Sequence, residues 1–281
     1  MKLNRLLLFL SLIVAFCDHQ LQAARIGLPL DSFLIEAATS KAAAKVLSGG
    51  SWWAAATKNL PDEFFKALEK IETQEDIEFK AHQPQAFWKR KLAPAAIYRS
   101  ILGVITLDTL LRDVNERLDK NNVADRETIK VLASMAFNAK DNDEVMKVCP
   151  EAINFIDQLQ RNGHDVFIVD NFNGELAQKA RLKIQKKLIE KNRNSKQLEI
   201  IVSGDLHAII GQKEFHENVM KKANPNIVVV SDPHYADAWK SYSVQAQKPA
   251  PSLIICAHVD HASRNVDQIR KELKEKYNIK I

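Results

Sequence analysis

The segment HDVFIVDN, residues 164–171, is a short run of β-branched and aromatic residues bounded by polar ones. Such a run is typical of a strand that is buried on both faces of a parallel sheet. Three further runs of this kind follow along the chain: LEIIVSGD (198–205), NIVVVSD (226–232) and SLIICAHVD (252–260). Segments with helical periodicity separate these runs and follow the last one, at 173–192, 212–223, 234–244 and 263–276. This alternation predicts βαβ units and a doubly wound, mostly parallel, Rossmann-like α/β domain.

The chain ahead of this domain contains one strand candidate and a long helical stretch. ARIGLPLDSFLI includes a predicted strand at 25–30 with a turn behind it. Residues 39–150 are rich in Ala, Leu, Lys and Glu and almost lack strand signals, and GVITL (103–107) is interpreted as a junction between helices. We therefore predict an α/β core formed by 24–38 and 151–281, with an all-helical cap of residues 39–150 inserted after the first strand.

The N-terminal segment has the pattern of an export signal. The basic start MKLNR precedes the leucine-rich run LLLFLSLIVAFC (6–17), and LQAA (21–24) offers small residues for cleavage. This order predicts a signal peptide, residues 1–23, cleaved after Ala23, and an exported protein that is periplasmic or secreted. The apolar run is shorter than the about 20 residues that cross a bilayer, so no stable membrane span is expected. The alternative interpretation of this run is a buried strand of the fold.

The composition of the chain indicates which kinds of molecule it is expected to bind. With 281 residues, 46% of them hydrophobic and 27% charged, the chain has the make-up of a globular protein. The formal net charge of +5 comes with lysines spread along helical segments such as 179–196, without interleaved aromatic residues. We therefore expect no nucleic-acid partner. Beyond the signal peptide two cysteines remain, Cys149 and Cys256, and we interpret them as core thiols because two cysteines do not form a disulfide framework.

Polar residues collect after the predicted strands, where ligands bind in an open parallel sheet. Asp170 with Asn171, Asp205 with His207, Asp232 with His234, and His258 with Asp260 and His261 follow the strands in turn, and Asp31 joins them after the strand at 25–30. An aspartate at such a position commonly caps the next helix, and a lone histidine is more often a surface or core residue. Together they also form a candidate site for a hard cation or zinc, with Asp31, Asp205, Asp232, His234 and His258 as candidate ligands.

The order of these elements resembles the haloacid-dehalogenase-like (HAD-like) superfamily. The resemblance rests on a first strand with an acidic loop, a helical insert, and the phrases INFIDQLQRNGHDVFIVDN, IIVSGD and IVVVSD. Usual members are magnesium-dependent phosphatases with a helical cap after the first strand. The resemblance therefore implies this fold, a ligand at the carboxyl ends of the strands, and Mg²⁺ as the cofactor. Zn²⁺ is the alternative that the histidines suggest.

The first catalytic loop of the family departs from its pattern in this chain. In the family one aspartate attacks phosphorus, and a second one, two positions later, acts as general acid and base. The resemblance places Pro29 at the nucleophile position of PLDSFLI and Asp31 at the acid/base position. Proline has no nucleophilic atom. In another alignment LIVAFCDHQL (12–21) is the first strand and Asp18 is the nucleophile, which requires that the N-terminal segment is retained.

The other three loops of the family also differ here. Asp170 and Asn171 fall in the second loop, where the family uses a Ser or Thr hydroxyl to bind phosphate, and the charge of Asp170 would repel a phosphoryl group. Ile210 falls at the position of the phosphate-binding lysine, and Lys213 reaches that role only if the loop is shifted. Asp232 is retained in the fourth loop, which holds magnesium in the family.

Three functions remain open at this point. The chain is a catalytically degenerate member that binds a small molecule or a protein at the rim of the sheet, or a metal-dependent hydrolase or phosphatase acting on a small phosphorylated or other polar substrate. The third possible function is that of a conventional phosphatase, in which case the loops of this chain align with those of the family differently from the alignment given above. The loss of nucleophile, hydroxyl and lysine favours the first function, because phosphoryl transfer in this family needs all three groups together.

Overall fold

A computed structural model describes residues 23–30, 33–37, 60–83, 87–88, 91–247, 249–256, 262–279 and 281. Several residues for which the sequence predicts a role lie outside the described ones: Asp18, Asp31, His258, Asp260 and His261. The same holds for nearly all of the predicted signal peptide.

Five parallel strands form the central sheet, and they are the strands that the sequence predicts. In sheet order they are β7 (Glu199–Val202), β6 (Asp165–Asp170), β1 (Arg25–Leu28), β8 (Ile227–Val230) and β9 (Ser252–Ile255). The first strand of the chain is central, with β6 on one side and β8 on the other. It ends at Leu28, so Pro29, which has no N–H donor, follows outside the ladder.

The described residues between 60 and 145 are mainly helical and are called the cap below. The helices are α1 (Leu60–Lys70), α2 (Gln74–Ala81), α3 (Ala95–Leu102), α4 (Leu107–Lys120), α5 (Arg126–Phe137) and α6 (Ala139–Val145). Helices α1, α4 and α5 share an apolar core of their own that includes Leu68, Val114 and Ile129. The predicted helix junction is confirmed, because Gly103 ends α3 with a φ of 62° and Thr106 caps α4.

Short strands that the sequence does not predict also occur around and within the cap. β2 (Ile35–Ala37) pairs antiparallel with β5 (Met146–Val148), and β3 (Phe87–Trp88) pairs antiparallel with β4 (Lys91–Leu92). Strands of two or three residues are too short to show a periodic pattern. The pair β2–β5 lies where the chain leaves the core and returns to it, so this ribbon connects the cap to the core.

Helices cover both faces of the sheet. They are α7 (Pro150–Arg161), α8 (Gly174–Lys191), α9 (Ser203–Leu206), α10 (Lys213–Lys222), α11 (Pro233–Ala246) and α12 (Ala262–Tyr277). Alternate residues of β6 face opposite sides: Val166 and Ile168 join the core with α7, α8 and α12, whereas Phe167 and Val169 join the core with α10 and α11. The doubly wound α/β prediction is confirmed. The sheet and the helical segment after its first described strand follow one another in the order that the resemblance implies.

Both described cysteines behave as the sequence predicts. Cys149 and Cys256 are free and buried. Burial raises the pKa of the Cys149 thiol to about 11, so this group stays protonated and unreactive at neutral pH.

The described part of the chain contains no helix that is both long and apolar enough to cross a membrane.

Candidate functional site

Asp170, the last residue of β6, holds the backbone at the rim of the sheet. Its side chain is buried, with 3% of its surface exposed. Oδ2 accepts a hydrogen bond from the Leu30 N–H at 2.9 Å, and Oδ1 accepts one from the Asn171 N–H at 2.7 Å. Each carboxylate oxygen thus binds a backbone donor, one of them in the loop that follows β1. Asp170 therefore lies at the rim, where its hydrogen bond to Leu30 fixes the position of that loop.

Asn171 connects β6 to the loop after α9. Its Oδ1 accepts a hydrogen bond from the Ile210 N–H at 2.8 Å, and its Nδ2 is buried without a hydrogen-bond partner. Ile210, which the resemblance aligns with the lysine of the family, is itself buried. The structure thus brings Asp170, Asn171 and Ile210 together at the rim.

Three side-chain acceptors fix three successive N–H groups of this loop. Besides Asn171, the Gln212 Oε1 accepts from Ile209 at 2.9 Å and the His216 Nε2 accepts from Gly211 at 3.2 Å. His216 is 1% exposed, and its burial lowers the pKa to about 4. A neutral imidazole can accept through Nε2, which a protonated one cannot. The loop around Ile210 is therefore held rigidly by neutral groups.

Lys213 lies apart from this cluster. It is the first residue of α10, its side chain is 63% exposed, and its Nζ lies 3.5 Å from Glu217 Oε1, one turn further along the helix. It does not line the cavity described below. The structure therefore does not bring the lysine of the shifted alignment to the rim.

Asp232 begins the helix that follows β8. Its Oδ1 accepts a hydrogen bond from the His234 N–H at 2.8 Å, so it is the N-cap of α11. Both side chains are half-buried. The capping role that the sequence suggests for such aspartates is therefore found here, and one carboxylate oxygen of Asp232 is used by it.

Side chains of the core bind three consecutive carbonyl groups at the end of cap helix α3. Asn173 Nδ2 donates to Ser100 O at 2.8 Å, and Ser203 Oγ lies 3.1 Å from Ile101 O and from Phe172 O. His207 Nδ1 donates to Leu102 O at 2.8 Å. The last carbonyls of a helix have no partner within it, so these bonds satisfy them and attach the cap to the core. We call Asn173, Ser203 and His207 the clamp.

Asp205 and His207, which the sequence predicts as neighbours at the rim, have different surroundings in this structure. Asp205 is exposed in α9, close to Gly174, whereas His207 binds the cap. The sequence singled out His207 for a different role and gave no signal for the other two clamp residues. Asn173 and Ser203 look like ordinary helix-start residues, and their carbonyl partners lie 73 and 102 positions away in the chain.

A cavity of about 250 Å³ lies between the rim and the cap. The core contributes Asp170, Asn171 and Tyr235 to its lining, and the cap contributes Ile101, Phe137 and Asn142. The walls are largely apolar, with a few polar groups among them, which is the usual composition of a small-molecule site. The cap residues were not identified from the sequence, because they meet the rim only through the packing of the cap. Tyr235 was not identified either, although it follows β8 closely in the chain.

The described residues do not assemble the magnesium or zinc site that the sequence suggests. Among them no group of three or more His, Cys, Asp or Glu side chains could hold a metal ion. Both oxygens of Asp170 accept backbone N–H groups, and one oxygen of Asp232 caps α11. The candidate ligands Asp31 and His258 lie outside the described residues. We therefore assign no chemical step to a metal.

No family model matches the chain, and no curated protein matches it. Among solved structures, the chain is similar to a dehalogenase at 13% identity, with a TM-score of 0.46 over 85% of this chain and 86% of that one. It is also similar to a HAD-family enzyme from Bacteroides thetaiotaomicron, solved with magnesium and inorganic phosphate, at 12% identity and a TM-score of 0.44 over 83% and 93%.

A third similar structure is a hydrolase from Pseudomonas syringae, at 13% identity and a TM-score of 0.38 over 89% of this chain and 99% of that one. Each of these TM-scores is below 0.5. The strand order, the parallel pairing and the position of the helical segment in the chain define the fold.

Proposed function

We propose that this chain is an exported HAD-like protein that binds a small molecule in the cavity between the rim and the cap and does not transfer phosphoryl groups. The observation that carries the proposal is Asp170. It stands where the family binds phosphate with a hydroxyl group, and it is a buried carboxylate with a backbone donor on each oxygen. A phosphoryl group at this place would meet a fixed negative charge.

Two further positions support the absence of catalysis. Pro29 occupies the nucleophile position in the alignment and has no atom that can attack phosphorus. Ile210 occupies the lysine position, is buried, and is fixed through its backbone by Asn171. Stabilisation of a phosphoryl-transfer transition state depends on preorganised positive groups at the transferring oxygens. The described residues that line the cavity include no Lys or Arg side chain.

The test is a phosphatase assay on the mature protein with a small phosphomonoester and Mg²⁺. We expect no turnover above the buffer rate, and we expect that Pro29→Asp alone does not create it, because the hydroxyl and the lysine remain absent. Robust turnover that Asp31→Asn abolishes would contradict the proposal and would show that Asp31 acts as an acid/base residue.

The same assay separates the metal-dependent alternative. Turnover that survives Asp31→Asn and is lost in His234→Ala or His258→Ala would support a hydrolase whose histidines hold the metal. Measurement of the metal content of the purified protein accompanies this assay. An inactive protein that binds small molecules in the cavity is the outcome that the proposal expects.

A further inference from the structure

A second cleft lies between α8 and the start of β7, which is an outer strand of the sheet. We call it the edge cleft. Its volume is about 370 Å³, and its lining residues are Gln178, Arg181, Gln197, Leu198, Glu199 and Ile200. It shares no lining residue with the cavity between the rim and the cap, so it is a separate feature of the described structure.

Arg181 differs from the other arginines of the described residues in having no ion pair at a half-buried position. Five arginines are half-buried there: Arg25, Arg99, Arg117, Arg181 and Arg270. All of them except Arg181 form an ion pair with an aspartate. Arg181 has neither an ion pair nor a side-chain hydrogen bond with a described residue. Because partial burial removes hydration from a charged group, a charge at such a place normally has a partner.

The guanidinium group of Arg181 is open to solvent at two of its three nitrogens. Nε is buried without a hydrogen-bond partner, whereas Nη1 and Nη2 are not among the buried atoms. Gln178 and Gln197 line the same cleft, are exposed, and have no side-chain hydrogen bond with a described residue. The accessible donors of Arg181 therefore lie in a cleft whose lining includes two further amide groups without partners.

The charges around the edge cleft favour an anion with a single charge. Helix α8, GELAQKARLKIQKKLIEK, carries six basic and two acidic residues, so its field is positive. Glu199 is the acidic residue of the lining, and it already accepts a hydrogen bond from Arg25 at 2.7 Å. A phosphate group, with a charge of about −1.5 to −2 at neutral pH, would be repelled by Glu199 more strongly than a carboxylate. Two parallel N–H groups of one guanidinium also match the two oxygens of a carboxylate.

We propose that the edge cleft binds a small molecule with one carboxylate group, which Arg181 holds through Nη1 and Nη2. The carboxylate supplies the counter-charge that Arg181 lacks among the described residues. Ile200, half-buried in the same lining, provides an apolar contact for the rest of the molecule. The site lies outside the cavity of the proposed function, so this proposal goes beyond that function and does not rest on it.

The experiment compares three probes that carry the same ring: benzoate, benzamide and phenylphosphonate. Binding to the purified protein is measured by NMR titration at millimolar concentrations in a buffer without divalent metal ions. We expect benzoate to bind more tightly than the neutral benzamide and the more highly charged phenylphosphonate. We also expect benzoate to shift the backbone amide signals of residues 197–200, which line the edge cleft.

Replacement of Arg181 tests the residue that carries the proposal. Arg181→Gln should weaken the binding of benzoate by about tenfold or more, because it removes two hydrogen bonds to a charged group. Arg181→Lys keeps the charge but not the planar pair of donors, so it should weaken binding less. The matched control is Arg264→Gln, at an exposed position of α12, the helix that follows the strand at the opposite edge of the sheet. It should leave the affinity unchanged.

A second variant tests the cleft without changing Arg181. Gln197→Glu places another negative charge in the lining at an exposed position, and it should weaken the binding of benzoate several-fold through repulsion. Gln245→Glu is its control, because it makes the same change at an exposed position of α11, which packs on the other face of the sheet. Thermal unfolding establishes that each variant is folded, and Gln197→Glu remains decisive if Arg181→Gln does not fold.

The outcomes decide the proposal independently of any phosphatase assay. Benzoate binding that Arg181→Gln and Gln197→Glu weaken and that both controls leave unchanged supports it. Absence of benzoate binding at millimolar concentrations would overturn it. Equal or tighter binding of benzamide would show that the charge of Arg181 is not used, and equal or tighter binding of phenylphosphonate would show that the ligand class is wrong. Benzoate binding that persists unchanged in Arg181→Gln would place the site elsewhere on the molecule and would equally overturn the proposal.

Discussion

The position of Asp170 can be predicted from the sequence, whereas its hydrogen-bond partner in a distant loop cannot. The sequence predicts a polar residue at the end of a buried strand, because the apolar run ends there and parallel strands bring their carboxyl ends to one rim. Its hydrogen bond to the N–H group of Leu30 depends on a loop 140 positions away, which no local pattern reveals. The same limit applies to Asn171 and its bond to Ile210.

Replacement of Asp170 by asparagine should destabilise the protein. The asparagine amide keeps one acceptor oxygen and presents an NH₂ group to the other backbone donor, which is then left unpaired in a buried place. We expect the free energy of unfolding to fall by about 2 kcal/mol, measured by urea denaturation. The matched control is Asp237→Asn, whose side chain is 70% exposed and which should change stability little. An equal effect of the two substitutions would contradict the structural role of Asp170.

His216 should make the stability of the protein depend on pH. Burial lowers its pKa to about 4 in the folded protein, whereas the pKa of a histidine in the unfolded chain is about 6.5. Between these values the unfolded chain binds more protons, so stability is fully present above the unfolded pKa and is lost as the pH falls toward the folded one. From about pH 7 to about pH 5 this group alone should cost about 2 kcal/mol.

The measurement is urea denaturation at both pH values, in the unmodified protein and in His216→Gln. Glutamine can still accept from the Gly211 N–H but does not titrate, so the variant should lose about 2 kcal/mol less over this range. His82→Gln, at an exposed histidine on the cap, is the control. An unchanged pH dependence in His216→Gln would show that other groups cause it.

At the scale of the elements, the sequence predicts what depends on continuous patterns. The strands of the sheet are confirmed because each is a largely apolar run, most completely buried in β6 and β8, and the helices between them begin and end close to the predicted residues. The ribbon β2–β5 escapes prediction, because three residues carry no period and their pairing partner lies across the whole cap. The clamp escapes it too, because the partners of Asn173 and Ser203 belong to another part of the chain.

The clamp should restrain the cap. Ser203→Ala removes the hydroxyl group near Ile101 O and leaves that carbonyl without its partner from the core. We expect the free energy of unfolding to fall by about 1 kcal/mol. We also expect the substitution to accelerate hydrogen exchange of the amides in α3 more than that of the amides in α10. Ser241→Ala, at an exposed position of α11, is the control. Uniformly faster exchange in both helices would indicate general destabilisation and not a local release of the cap.

At the scale of the whole molecule, cleavage after Ala23 stays a prediction, and it would fall just ahead of β1. Ala23 is exposed, whereas Ala24 is buried and its N–H donates to His164 Nδ1 at 3.2 Å. We expect the mature exported chain to begin near Ala24, because the basic start, the leucine-rich run and the small residues at 21–24 follow the pattern of a signal peptide and β1 begins after them, at Arg25. N-terminal sequencing of the exported protein checks this. A cytoplasmic chain that starts at Met1 would remove the export proposal and would return Asp18 to consideration as the nucleophile.

The position of β1 also determines the order in which the molecule can be completed. β1 is the first strand among the described residues and lies in the middle of the sheet, and its contacts through Ala24 with His164 and through Arg25 with Asn226 join residues 140 and 201 positions apart. The chain loses conformational entropy when such long loops close, before the pairing of the strands offsets that loss. Folding is slow for this reason. Synthesis proceeds from the N terminus. A growing chain therefore carries β1 unpaired until β6 has been made, and the central part of the sheet closes only after β8 emerges.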